Sequence, residues 1–242
     1  MKNSQLIAHR GWQRRYPENT LIAIREAIAT GCKHIEIDIQ LSADHIPFVC
    51  HDHLLQRLCL SPLNLNQIHS SELDTLSAYE PERLGDQFLG TPLLTLSDCV
   101  KYIAQYPDVT LYAEIKRQSI RSFGHQVVMD AIKPLLTTIE QQCFVISFDL
   151  PILTLFKQQQ WSQTALVLSD WEQAFSQQVN QLAPTMLFCD VDFLTAAKTP
   201  AQLPYPTAIY EIDNYQQAQQ LIAAGAAMIE TFAIGELIAA GG

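Results

Sequence analysis

Two short stretches of this 242-residue chain carry charged side chains at alternate positions of an otherwise apolar strand pattern. In His34-Ile35-Glu36-Ile37-Asp38-Ile39, a period of two sends Glu36 and Asp38 to one face and the three isoleucines to the other. Two carboxylates on one buried strand face repel each other and lose hydration, which a hard divalent cation with oxygen ligands relieves. An ion-pair network with Arg or Lys would also relieve it. Leu111-Tyr112-Ala113-Glu114-Ile115-Lys116 repeats the pattern, with Glu114 and Lys116 on one face. Glu114 can supply a third carboxylate to the same cation, and Lys116 can neutralise a substrate oxyanion or hold Glu114 in place.

Two histidines lie where such strands would end. Leu6-Ile7-Ala8-His9-Arg10-Gly11 offers His9 as a proton carrier near neutral pH and Arg10 as a bidentate grip on a phosphate or carboxylate. Gly11 allows a sharp turn away from the strand. His51, in Phe48-Val49-Cys50-His51-Asp52, completes a possible acid–base pair, as cleavage of a phosphodiester requires. Asp52 orients its neighbour or ends the strand. The other histidines (His34, His45, His53, His69 and His125) have no comparable context and read as surface or structural residues.

These residues need a scaffold that brings several strand ends together. Strand-like runs lie near 5–9, 34–39, 110–115, 143–147, 164–168, 186–189, 207–211 and 227–230, with helical patterns between most of them. Thr20 to Thr30 is the clearest helix, with Asn19 as N-cap, Gly31 as stop, and Leu21, Ile24 and Ile28 on one face. Eight strands with crossover helices predict a (β/α)8 TIM barrel spanning 1–242 as a single domain. A doubly wound open sheet is the alternative, but its Gly-rich phosphate loop is missing. A turn at Ala43–Ile46 leads into Pro47–His51, an expected hairpin arm on the second strand. A small insertion follows at about 53–92, with Pro62, Pro81 and Pro92, before a helix at 95–105.

Composition narrows the function classes. With 15 Lys+Arg against 25 Asp+Glu the net charge is −10, so a nucleic-acid partner is not expected. An anionic substrate would need cations gathered locally. The six cysteines form no Cys-x-x-Cys pair, the N-terminus has no apolar signal core, and no apolar run reaches 18 residues. A reduced, cytoplasmic protein without stable membrane insertion is expected. The sequence carries no signature of an oligomeric state.

The set His9-Arg10-Gly11, Pro17-Glu18-Asn19-Thr20, Glu36-Ile37-Asp38, Pro47 through His51-Asp52, Glu114-Ile115-Lys116 and Ser147-Phe148 resembles the glycerophosphodiester phosphodiesterase family in order and spacing. The resemblance covers about the first 150 residues closely and continues weakly to the C-terminus. It implies a (β/α)8 barrel that hydrolyses small glycerophosphodiesters to glycerol phosphate and an alcohol. It also implies one divalent cation, Mg2+ or Ca2+, on Glu36, Asp38 and Glu114, with His9 and His51 as the acid–base pair and Arg10 and Lys116 near the phosphate. The insertion would roof the site and help select substrate. Members often have Asp-Gly where this chain has Asp44-His45, His-Asp-Asp where it has His51-Asp52-His53, and a late-strand Trp where it has Tyr210. A late Asp is replaced within Glu230-Thr231-Phe232-Ala233. Other readings are a Schiff-base Lys116 in an aldolase-type barrel, a non-catalytic barrel that binds a phosphorylated ligand, and a lysophospholipid substrate for the same chemistry.

Overall fold

The computed structural model of the chain describes residues 1–241. Ten strands form one sheet: β1 (Leu6–Ala8), β2 (His34–Leu41), β3 (Pro47–Val49), β4 (Leu94–Thr95), β5 (Thr110–Ile115), β6 (Cys143–Ser147), β7 (Thr164–Val167), β8 (Met186–Asp190), β9 (Thr207–Tyr210) and β10 (Met228–Thr231). Eight are parallel in the order β1-β10-β9-β8-β7-β6-β5-β2, and the β1–β2 pairing closes them into a barrel. Closure excludes the open doubly wound sheet and gives the (β/α)8 architecture. The hairpin arm is also present. β3 runs antiparallel to β2, β4 runs antiparallel to β3, and His45 occupies the turn at φ 64°.

Period-two alternation separates two apolar layers. Ile35, Ile37 and Ile39 of β2 and Leu111, Ala113 and Ile115 of β5 point outward into the layer beneath the helices. Each fully buried isoleucine or leucine among them contributes about 1.5–3 kcal/mol. The inward positions Ile7, Tyr112, Ile146, Val167 and Phe188 belong to a separate cluster that fills the barrel. Tyr112 stacks on Phe144 there, with ring centroids 4.9 Å apart. This plug leaves only the C-terminal strand ends for polar chemistry.

The first barrel helix, Leu21–Ala29, differs in detail from expectation. Its N-cap is Thr20, whose Oγ1 accepts from the Ala23 N–H at 3.3 Å. Asn19 is drawn instead into the site, with its side chain committed to Asp38. The buried arc runs through Ala23, Ile24 and Ala27, whose two alanines let the helix lie close to the sheet. Ile28 packs only partly buried, and Leu21, in the first turn, is 40% exposed.

Between β3 and β4 the chain forms short helices at Gln56–Cys59, Ser70–Leu73 and Pro81–Leu84. Leu55, Leu58, Leu65 and Leu73 pack with Phe48 and Leu93 into a cluster of their own. Hydrogen bonds tie it to the barrel, since the Ala43 N–H donates to the Ile68 carbonyl at 2.8 Å and the Asn66 side chain donates through Nδ2 to the Leu41 carbonyl at 2.7 Å. All six cysteines are buried and free. Among the described residues no helix is long and apolar enough to cross a membrane.

Gly11 sits at φ +79° where the chain leaves β1, and a Cβ there would lie 2.6–2.8 Å from backbone atoms of Ala23 and Ile24. Gly11→Ala is expected to destabilise the fold by at least about 1–3 kcal/mol through strain and overpacking. Urea denaturation at pH 7 checks this, and an unchanged midpoint would show that the close approach is not obligatory.

Candidate active site

Strand register brings the acidic residues together. β2 and β5 pair with Asp38 directly beside Glu114, and β1 lies next to β2 with Ala8 beside Ile35, so His9 follows next to Glu36. β1 also pairs Ile7 with Glu230 on β10. His9, Arg10, Glu36, His51, Glu114, Lys116 and Glu230 all line one cavity of about 150 Å3, floored and walled by Ile146, Phe148, Val167, Phe188 and Tyr210. Asp38, fully buried, lies just behind them. Every residue expected to do chemistry is therefore in or against one cavity.

Asp38 is the most heavily held. Asn19 Nδ2 donates to its Oδ2 at 2.8 Å, while the Asp38 backbone N–H donates to Asn19 Oδ1 at 3.1 Å. Lys116 Nζ is 3.1 Å from Oδ1 and Arg10 Nε is 3.1 Å from Oδ2. Neither cation is aligned as a hydrogen-bond donor, so Asp38 Oδ1 and Arg10 Nε stay without a hydrogen bond despite their proximity. Burial alone would raise the Asp38 pKa, but Lys116 and Arg10 outweigh it and keep the carboxylate ionised. Arg10 and Asn19 take left-handed conformations at φ 55° and 57°, and the Asn19 N–H donates to the Arg10 carbonyl at 3.1 Å. Two strained residues thus brace each other over one carboxylate.

The remaining acids lack enough positive charge. Lys116 Nζ reaches Glu114 Oε1 at 2.8 Å, and the Arg10 backbone N–H donates to Glu36 Oε2 at 3.0 Å. Glu36, Asp38, Glu114 and Glu230 face only Arg10 and Lys116 as fixed cations. Burial, then the neighbouring Asp38, pushes Glu36 well above the usual carboxylate range. Burial, then Glu211, does the same to Glu230. Glu114 is also raised, because burial exceeds the effect of Lys116. Glu36 Oε1 and Glu230 Oε1 are buried without a hydrogen-bond partner. One ligand atom each from Glu36, Asp38 and Glu114 lie within 4.8 Å of one another, and a second such group is His9, Glu36 and Glu230. An all-oxygen trio with an orphaned carboxylate oxygen and excess negative charge fits a hard divalent cation.

The two histidines are held differently. His9 stacks on Phe232 with centroids 4.6 Å apart and planes 7° apart, and burial lowers its pKa well below the usual value. Its Nε2 is 3.7 Å from Glu36 Oε2 and its Nδ1 is 3.3 Å from Glu211 Oε1. His51 is fixed through Nδ1, 2.6 Å from Asp52 Oδ1. Asp52 accepts in turn from Arg57 Nε at 2.7 Å. Arg57 also donates to the buried Glu18 at 2.6 and 3.0 Å and to Glu80 at 3.2 Å. The segment 53–92 therefore reaches the site through Arg57. It contributes no side chain to the central cavity but lines an adjoining groove with His53, Leu54, Gln56 and Glu82.

Residues 9–226 match the model of the Glycerophosphoryl diester phosphodiesterase family. The chain belongs to this family. Its curated relatives include glycerophosphodiester phosphodiesterase 1 of Mus musculus, 30% identical over 172 residues, which cover 68% of this chain and 49% of the relative. A glycerophosphodiester phosphodiesterase of Caldanaerobacter subterraneus is 29% identical over 145 residues, 60% of this chain and 58% of the relative. The chain thus spans about half the length of the mammalian relative. The fold matches an Oleispira antarctica phosphodiesterase solved with its product sn-glycerol-3-phosphate, at TM-score 0.84 and 23% identity, covering 98% of this chain and 96% of that one. It also matches the glycerophosphodiester phosphodiesterase of Thermotoga maritima, at TM-score 0.77 and 18% identity over 99% of both chains.

Several residues that line the cavity or touch His9 were not singled out by spacing alone. Glu230 in Met228-Ile229-Glu230-Thr231 carries the same signal as Glu36, an acid on the inward face of an apolar strand. Glu211 and Phe232 carry no local signal, because their approach to His9 depends on how β9 and β10 end.

Arg57→Gln is expected to destabilise the protein by about 1–3 kcal/mol at pH 7 by taking from the buried Glu18 its two shortest charged hydrogen bonds, leaving only the longer ones from Arg10 Nη1 at 3.2 and 3.3 Å. Burial raises the Glu18 pKa, but Arg10 and Arg57 outweigh it and hold the folded value below the ordinary one. Its contribution is thus present above the unfolded glutamate value of about 4.3. It is lost as pH falls through the lower folded value, so the gap between the two proteins should close in acid. Urea midpoints measured across pH test this, and a gap that is absent at pH 7 contradicts it.

Proposed function

We propose that the chain is a metal-dependent glycerophosphodiester phosphodiesterase, releasing glycerol 3-phosphate and an alcohol from small glycerophosphodiesters. The observation that carries this reading is the meeting of Glu36, Asp38 and Glu114 within 4.8 Å beside a cavity shared by His9, His51, Arg10 and Lys116. Family membership supports the reaction class, and the relative bound to sn-glycerol-3-phosphate supports the product.

A divalent cation on Glu36, Asp38 and Glu114, Mg2+ or Ca2+, would supply Lewis-acid polarisation of the phosphate. Arg10 and Lys116 would offset the negative charge that grows on the phosphate oxygens as the diester is attacked. Both cations already sit beside Asp38, so they need not reorganise to do so. His51, with Nδ1 turned to Asp52, presents Nε2 for proton transfer. His9, clamped by Phe232, would handle the second proton. The attacking oxygen comes from water, or from the glycerol 2-hydroxyl by way of a cyclic phosphate that water then opens; one histidine takes its proton and the other gives a proton to the leaving alcohol as the ester bond breaks. Residues 1–242 would act as one catalytic unit, with 53–92 supporting His51 through Arg57 and Asp52. Six buried free thiols support a reducing, cytoplasmic setting.

Purified protein incubated with glycerophosphocholine and glycerophosphoethanolamine should release glycerol 3-phosphate, lose that activity in EDTA, and regain it with Mg2+ or Ca2+. Turnover that persists in EDTA would remove the cation from the mechanism. His51→Ala should lower kcat at least ~10²-fold, the low end for acid–base catalysis. Near-normal kcat in that variant would take His51 out of the proton transfer, and His9→Ala tests its counterpart in the same way.

A further inference from the structure

The chain has eight arginines, and among the described residues six of them (Arg10, Arg14, Arg15, Arg25, Arg57 and Arg83) form ion pairs with carboxylates. Arg117 and Arg121 form none. In a protein with ten more acids than bases this is unusual, and both lie in the same place. They lie one turn apart on the helix Arg117–Phe123, which begins directly after Lys116. With Gln118 they line a groove of about 240 Å3.

That groove is continuous with the catalytic cavity, because His51, Glu114, Lys116 and Phe148 line both. Its one acidic wall residue, Glu114, is already paired with Lys116 at 2.8 Å. The Arg117 guanidinium lies over the Phe148 ring, 4.7 Å from the centroid, and donates to Ser169 Oγ at 3.2 Å. Those contacts hold the group in place and leave its charge uncompensated. Arg121 is exposed at the outer edge. A diester phosphate seated at Lys116 has two ester arms. The inner cavity, about 150 Å3 and partly apolar, suits the three-carbon glycerol arm. The groove past Arg117 and Arg121 shares four lining residues with that cavity, Lys116 among them, whereas the groove at His53 shares only His51, so the outgoing alcohol is directed past the two arginines.

Resting on the function proposed above, we infer that this groove is the alcohol subsite and that it selects diesters whose alcohol carries its own anionic group, such as a phosphate or carboxylate. A quaternary ammonium alcohol would meet two like charges there, whereas an added phosphate gains two guanidinium partners. The selectivity is electrostatic at a partly exposed site, so salt should weaken it.

The test compares kcat/KM for glycerophosphoinositol 4-phosphate with that for glycerophosphoinositol, which differ by one phosphate. Wild type should prefer the phosphorylated substrate by at least about tenfold, equivalent to about 1.4 kcal/mol. The preference should shrink between about 20 mM and about 500 mM salt as the screening length falls. It should collapse in R117Q/R121Q and return largely in R117K/R121K. Equal kcat/KM for the two substrates in wild type would overturn the inference, as would a preference that survives R117Q/R121Q. Release from neither substrate, nor from glycerophosphocholine, would instead remove the phosphodiesterase reading and the subsite with it.

Discussion

A fully buried ionised carboxylate, Asp38, is the constraint around which the catalytic end of this barrel is built. An unpaired charge at that depth would cost several kcal/mol, so the chain must deliver partners from distant positions. Lys116 arrives from the end of β5, Arg10 from the end of β1, and Asn19 from the loop before the first helix. The strands that deliver Lys116 and Arg10 are themselves buried among apolar side chains. Demand for charge compensation and burial of isoleucine and leucine thus specify the same strand register. A one-residue slip of β2 would put Ile37 into the site and Asp38 among the helices.

Compensation is deliberately incomplete in its consequences. Arg10 and Lys116 offset the charge of Asp38, while burial and neighbouring acids raise the pKa of Glu36 and of Glu230. A barrel optimised only for stability would replace such acids with apolar side chains, as it does one layer below at Tyr112, Ile146 and Phe188. The acid excess is confined to the strand ends that open to substrate, and the strained residues Arg10 and Asn19 are there too. Stability lost at this end is offset by the close-packed plug and the helix-facing layer.

The segment between β3 and β4 joins this system through charge rather than through packing on the cavity. Arg83, Glu80, Arg57 and Asp52 form a chain of ion pairs that ends at His51. A branch from Arg57 through Glu18 reaches Arg10 and hence Asp38. The orientation of His51 is therefore coupled to the folding of a small apolar cluster around Leu55 and Leu58. The segment thereby bears on how His51 is held.

Much of this was legible in the sequence because period-two alternation is a local property. It exposes Glu36 and Asp38 on one strand and Glu114 on another without any knowledge of neighbours, and eight strands with crossover helices point to a barrel, with the open doubly wound sheet excluded only by closure. The hairpin turn at His45 was legible for the same reason, since its left-handed conformation depends on only one residue. Tertiary structure decided what depends on registry and closure. Asn19 looked like a helix cap, yet it serves Asp38 because β1 and β2 pair and bring the loop over the strand. Glu230 joined the site only when β10 paired with β1, and Phe232 found His9 only after that pairing. Arg57, Arg117 and Arg121 look alike in a linear chain. Their different surroundings, two buried acids for the first and an open groove for the others, arise from long-range contacts. Such contacts form between residues far apart in sequence, where no local period carries the information.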